Sequence, residues 1–180
     1  MGGKIAMELA GSYPDLFSAL IVLDISPLSY KNHPRGGLLN HSDILNALLS
    51  IDLSRYSSRN DIAEQLSIKL KNNELNSFLL KNLARKRDGN FYWRLNLNSL
   101  QNNIDNLHEG VSSDYYCTVP SLFIKAQNSN YILEQDEKAI KQYFKNVEII
   151  EIEDANHWLH VSHAQQLIDE ILAFTDKIKR

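Results

Sequence analysis

Three apolar runs stand out along the chain: Ala19 to Leu23, Pro120 to Ala126 and Val147 to Ile152. Runs of this length, without strict alternation, predict strands buried on both faces of a parallel sheet. Around them the apolar residues follow a helical period. Ile5, Met7, Leu9, Ala10 and Tyr13 mark a helix that stops around Gly11 and Pro14. Ala139, Ile140, Tyr143 and Phe144 mark another between the second and third runs. Ala164, Leu167, Ile168, Ile171 and Leu172 fall at i, i+3, i+4, i+7 and i+8 on a last helix. This alternation of strand and helix predicts an α/β domain.

The stretch from 32 to 117 reads differently. It is polar, rich in Asn, Ser and Leu, and mostly helical in pattern, with helices expected near 42–51, 60–71, 73–85 and 98–107. Ser58 and Asp61 have the spacing of a capping box. Asp88-Gly89 marks a tight turn, followed by alternating Phe91, Trp93, Leu95 and Leu97. The chain thus divides into 1–31, a helical insertion over 32–117, and 118–180. A helical insertion between two sheet strands suits a lid over a site at the strand ends.

Charge and cysteine usage narrow the function classes. A net charge of −3 gives no basic footprint for nucleic acid. The Arg85-Lys86-Arg87 cluster is expected to end a helix, where cations suit the dipole. One cysteine, Cys117, excludes an internal disulfide and reads as a packed thiol in a reducing compartment. No apolar run is long enough to cross a bilayer. The N-terminus lacks the pattern of a signal peptide, so a cytoplasmic protein is expected. Nothing points to a cofactor.

Candidate chemistry lies where loops follow strands. Met1-Gly2-Gly3-Lys4, leading into a helix, matches the second half of a Gly-x-Ser-x-Gly nucleophile elbow, with the serine position falling one residue before Met1. Met1 would then supply a backbone N–H to the oxyanion hole. Asp24 follows the first apolar run and His157 the last, in the order acid then histidine that such a triad requires. Singly, an Asp there is equally a turn former or N-cap, and a lone His beside Trp is more often structural. Their order and positions together favour an orienting acid and a general base. His160 and His163 compete for the histidine role but fall at the start of the last helix, and no third ligand completes a metal site with them. The loop Ala126 to Tyr131 has no carboxylate; Asn128 or Ser129 stands where an acid would be expected. Glu134 and Asp136 suit the N-terminus of the next helix.

The whole chain resembles a known family. Met1-Gly-Gly-Lys4, Leu23 to Pro27 with Tyr30 and His33, Phe78 to Leu83, Phe91 to Leu97 and Asn156 to His160 are similar, in order, to YbfF-type bacterial esterases and the abhydrolase-domain protein 11 group. Asn156 stands where the common form has Gly. The resemblance implies the C-terminal part of an α/β-hydrolase fold, three parallel strands plus a helical lid. It implies serine esterase or thioesterase chemistry on small acyl esters or acyl-CoA, in the cytoplasm, through an acyl-enzyme. Asp24 maps onto its acid, His157 onto its base, and Trp93 and Trp158 are candidates for contacting substrate. The family's first five strands, its nucleophile and its other oxyanion donor have no counterpart within these 180 residues. The chain alone is therefore expected to be inactive and to associate through an uncovered core. The alternatives are a non-catalytic module that binds an acyl ligand or a partner, and an enzyme with an Asp nucleophile at the elbow.

Overall fold

The structure, a computed structural model, describes residues 2–31, 41–112 and 114–179. The chain forms two compact units, Met1–Leu38 with His108–Arg180, and Leu39–Leu107. In the first unit, β1 (Leu20–Leu23), β4 (Ser121–Ala126) and β5 (Val147–Ile152) form a parallel sheet in the order β1-β4-β5. Leu20 pairs with Ser121, and Ser121 in turn with Val147.

Alternate residues of these strands feed two cores. Leu20, Val22 and Phe123 pack with Met7 and Ala10 of α1 (Gly2–Ser12) and Ile140 of α7 (Glu134–Tyr143). Leu122, Ile124 and Ile152 pack with Leu159 of α8 (Leu159–Ser162) and with Leu167 and Phe174 of α9 (Ala164–Ile178). Burial on both sides explains why β4 reads as a nearly continuous apolar run, whereas β5 exposes Glu148 and Glu151. Gly11 is required where it stands: a Cβ there would lie 2.5 Å from the Tyr115 ring, whose hydroxyl donates to the Met7 carbonyl at 2.6 Å.

The segment from His108 to Cys117, which the sequence pattern assigns to the insertion, packs with the first unit. Tyr115 and Cys117 lie in its core, and the Cys117 amide donates to the Tyr143 carbonyl at 2.8 Å. The Val111 amide reaches the Pro27 carbonyl at 2.8 Å, and the Tyr30 amide the His108 carbonyl at 2.8 Å. The Lys4 ammonium joins the same segments by donating to the carbonyls of Leu28, His108 and Glu109.

The second unit holds α2 (His41–Leu49), α3 (Arg59–Lys69), α4 (Asn73–Leu80), the hairpin β2 (Leu83–Arg85) and β3 (Phe91–Trp93), α5 (Leu97–Asn102) and α6 (Ile104–His108). Several of its asparagines and serines cap helices. Ser58 accepts from the Asp61 amide at 3.2 Å, Asn72 from Leu75 at 2.9 Å, and Asn96 from Ser99 at 3.1 Å. Three expectations are corrected. The helix expected over 73–85 ends at Leu80, where Arg59 takes the terminal carbonyl at 2.6 Å, and 83–85 is a strand. The Arg85-Lys86-Arg87 cluster therefore sits at a hairpin turn, not a helix end. Its Arg85 guanidinium stacks 4.6 Å over Phe91, and Gly89 makes the turn at φ +90°. The helix expected over 98–107 breaks at Asn103, whose side-chain amide takes the Ser99 carbonyl at 2.9 Å.

Lys125, on the central strand, bonds Glu137 of α7 at 2.7 Å and Glu151 of β5 at 3.0 Å. The hydrogen bond from Lys125 holds the Glu137 carboxyl below its ordinary value, against the opposing effect of partial burial. A depressed carboxylate contributes stability above its unfolded pKa and loses it as pH falls through the folded value. Glu137→Gln is therefore expected to lower unfolding stability by about 1 kcal/mol at neutral pH. In urea titrations that gap should close below about pH 4.

Candidate active site

Asp24 sits where β1 ends, and its backbone turns left-handed at φ +49°. Asp is among the few residues that adopt this conformation readily. Its amide still donates to the Ile124 carbonyl at 2.8 Å, so the carboxylate is delivered from a residue still tied to the sheet. That carboxylate is buried, with 1% of its side chain exposed. Its Oδ1 accepts from the Ala126 amide at 3.3 Å, and its Oδ2 accepts from the Ser129 hydroxyl at 2.5 Å and lies 2.7 Å from His157 Nδ1. A carboxylate withdrawn from water needs such donors.

His157 is held by the loop after β5. The Asn128 amide donates to the Ala155 carbonyl at 2.8 Å, and the Asp154 amide to Gln127 Oε1 at 3.0 Å. The loops after β4 and β5 are thus tied together, and adjacent parallel strands bring both to the carboxyl end of β1. The left-handed residue of the histidine loop is Asp154 at φ +55°, not Asn156. Asn156 instead accepts from the Trp158 amide at 2.8 Å and closes a turn over the histidine.

Tyr131 stacks on the imidazole, with ring centroids 3.8 Å apart and planes at 23°. Burial first, and the Asp24 charge second, push its phenol pKa up, so the ring stays neutral. Neither the Ser129 bond nor this stack was visible in the sequence. The one signal was the missing acid after β4, at the place where Ser129 now faces Asp24.

Met1 lies outside the described residues. Trp158 neighbours the histidine and tilts against His160 at 5.9 Å. Trp93 belongs to β3 of the second unit, where its indole nitrogen is buried. Glu134 and Asp136 stand at the start of α7, and Asp136 accepts from the Leu133 amide at 2.9 Å. His163 precedes α9, with its Nδ1 2.8 Å from the Ser162 hydroxyl. Cys117 is fully buried. Among the described residues no three His, Cys, Asp or Glu side chains converge as a metal site, and no helix is long and apolar enough to cross a membrane.

A parallel sheet flanked by helices, with the carboxylate after one strand and the histidine after another, is the C-terminal part of an α/β-hydrolase fold. No family model matches the chain. The sn-1-specific diacylglycerol lipase ABHD11 of Danio rerio is 32% identical over 178 residues, covering 97% of this chain and 54% of that protein. Esterase YbfF of Escherichia coli is 28% identical over 171 residues, covering 95% of this chain and 63% of that protein. The solved structure of a marine microorganism esterase superposes with a TM-score of 0.90 at 38% identity, over 96% of this chain and 66% of that one. The chain belongs to this α/β-hydrolase family of esterases and lipases. It spans little more than half to about two-thirds of the length of these relatives.

The hydroxyl of Ser129 is a charge-assisted donor to a buried carboxylate. Ser129→Ala is expected to destabilise the chain by roughly 1–3 kcal/mol in urea unfolding. Ser129→Thr, which keeps the hydroxyl, should recover most of that loss.

Proposed function

We propose that the chain contributes the acid and the base of a serine esterase or thioesterase that hydrolyses small acyl esters or acyl-CoA through an acyl-enzyme. The observation that carries this reading is the 2.7 Å contact between His157 Nδ1 and the buried Asp24 carboxylate. It leaves Nε2 as the nitrogen available to take a proton.

In this reading the nucleophilic serine sits immediately before Met1, at the amino end of α1, and is supplied by the part of the fold that the relatives carry outside the matched region. His157 Nε2 accepts the serine proton as the oxygen attacks the acyl carbon, then returns it to the leaving alcohol or thiol. Asp24 keeps the imidazole in the Nδ1–H tautomer and stabilises the imidazolium while it lasts. Water repeats the sequence on the acyl-enzyme. The Met1 amide serves the oxyanion, Trp93 and Trp158 contact substrate, and the second unit acts as the lid. The compartment is cytoplasmic.

A polypeptide of these 180 residues alone does not include the elbow position. It is inactive in this reading, and it associates through its uncovered surface. Two features support the latter: β1 pairs only with β4 among the described residues, and Ile5, Leu9 and Tyr13 form an exposed stripe on and just past α1.

The 180-residue chain is expected to hydrolyse p-nitrophenyl butyrate no faster than its His157→Ala variant. A fluorophosphonate probe should leave both unlabelled. Joining the amino-terminal region of the marine esterase in frame before Met1 should restore hydrolysis. In that fusion Asp24→Asn should cut kcat by about 10⁴. Labelling of the chain alone that depends on His157, or a fusion indifferent to Asp24→Asn, would overturn the proposal.

A further inference from the structure

The Asp24 bond fixes one atom of the His157 ring and leaves its plane undetermined. An imidazole held at Nδ1 alone can pivot about that contact, sweeping Nε2 across the site. The His157 side chain is 39% exposed, so surrounding packing does not hold it on all sides. Against one face lies the Tyr131 ring, at 3.8 Å and 23°.

We infer that Tyr131 is a positioning residue, which fixes the plane of the His157 imidazole through ring stacking. This inference rests on the reading of His157 as the general base.

Two features support it. The first is the rigidity of the platform. The Tyr131 amide donates to Ser129 Oγ at 3.3 Å, and that hydroxyl donates to Asp24. The Tyr131 carbonyl accepts from the Tyr30 hydroxyl at 3.2 Å, and the same hydroxyl accepts from the Ser26 amide at 2.8 Å. The Tyr30 ring also meets the Tyr131 ring edge-on at 5.8 Å and 77°. Tyr131 is therefore tied, through Ser26 and Ser129, to the same two loops that carry and hold the carboxylate. Acid and stacking ring move as one body, and the imidazole lies against both.

The second is the geometry of the stack. With centroids 3.8 Å apart and planes at 23°, the two rings lie face to face, so turning the imidazole out of this plane would drive its edge into the Tyr131 ring.

The test uses the 180-residue chain first, with labelled histidine. The ring protons of His157 should resonate upfield through the Tyr131 ring current and show cross-relaxation to the Tyr131 ring. Tyr131→Leu should move them downfield, while Tyr131→Phe should keep them in place. In the serine-restored fusion, Tyr131→Leu should lower kcat about tenfold with KM little changed. Tyr131→Phe should retain the wild-type rate, and its behaviour decides the matter should the Leu variant fail to fold. The inference is overturned if His157 shows no ring-current shift or cross-relaxation, if Tyr131→Phe loses kcat, or if Tyr131→Leu raises KM alone. A fusion without activity alongside intact ring-current shifts would refute the esterase reading and leave the positioning contact standing.

Discussion

The hydrogen bond between a buried carboxylate and a half-exposed imidazole is the contact on which the site depends. Asp24 is withdrawn from water almost completely, a state that its donors must offset. The Ala126 amide, the Ser129 hydroxyl and His157 Nδ1 together do so. The first two come from β4 and the loop after it and the third from the loop after β5, so the carboxylate is satisfied only when β4 and β5 are docked in register beside β1. Sheet assembly and site assembly are thus one event. A left-handed residue at the end of β1 is the local cost, and an aspartate keeps that cost small.

The surrounding structure serves this geometry. Adjacent parallel strands bring three loops to one end of the sheet, and two cores hold the sheet from both faces. The segment after the second unit returns to the same body, where Lys4 and the backbone contacts of Pro27 and Tyr30 secure it. The platform under Tyr131 begins in this region, through Tyr30. The site is thereby coupled to the point where the chain leaves and re-enters the first unit.

What was legible in the sequence follows from what is local. The strands could be read because burial makes β1 apolar throughout and β4 nearly so, while β5 keeps its isoleucines around two exposed glutamates. Asp24 could be singled out because it directly follows such a run, and His157 because it lies in the loop after one. The overextended helix at 73–85 shows the limit. Leu79, Leu80 and Leu83 keep a helical period, but the Asp88-Gly89 turn pairs Leu83 with Trp93, and Arg59 closes the helix at Leu80. Asn103 interrupts a helix by a side-chain bond that periodicity does not register. Ser129 and Tyr131 escaped for a different reason. Their partners lie far away in sequence, Ser129 being 105 residues from Asp24, so no spacing along the chain announces them.

The central claim is that Asp24 holds His157 with Nδ1 protonated and Nε2 open as the base. Long-range ¹⁵N–¹H correlation on histidine-labelled chain at a pH where the ring is neutral reads this directly. The account predicts that His157 is the Nδ1–H tautomer, and that Asp24→Ala shifts it toward the Nε2–H form that free imidazole side chains prefer. A His157 already in the Nε2–H form, or one whose tautomer ignores Asp24→Ala, would contradict it.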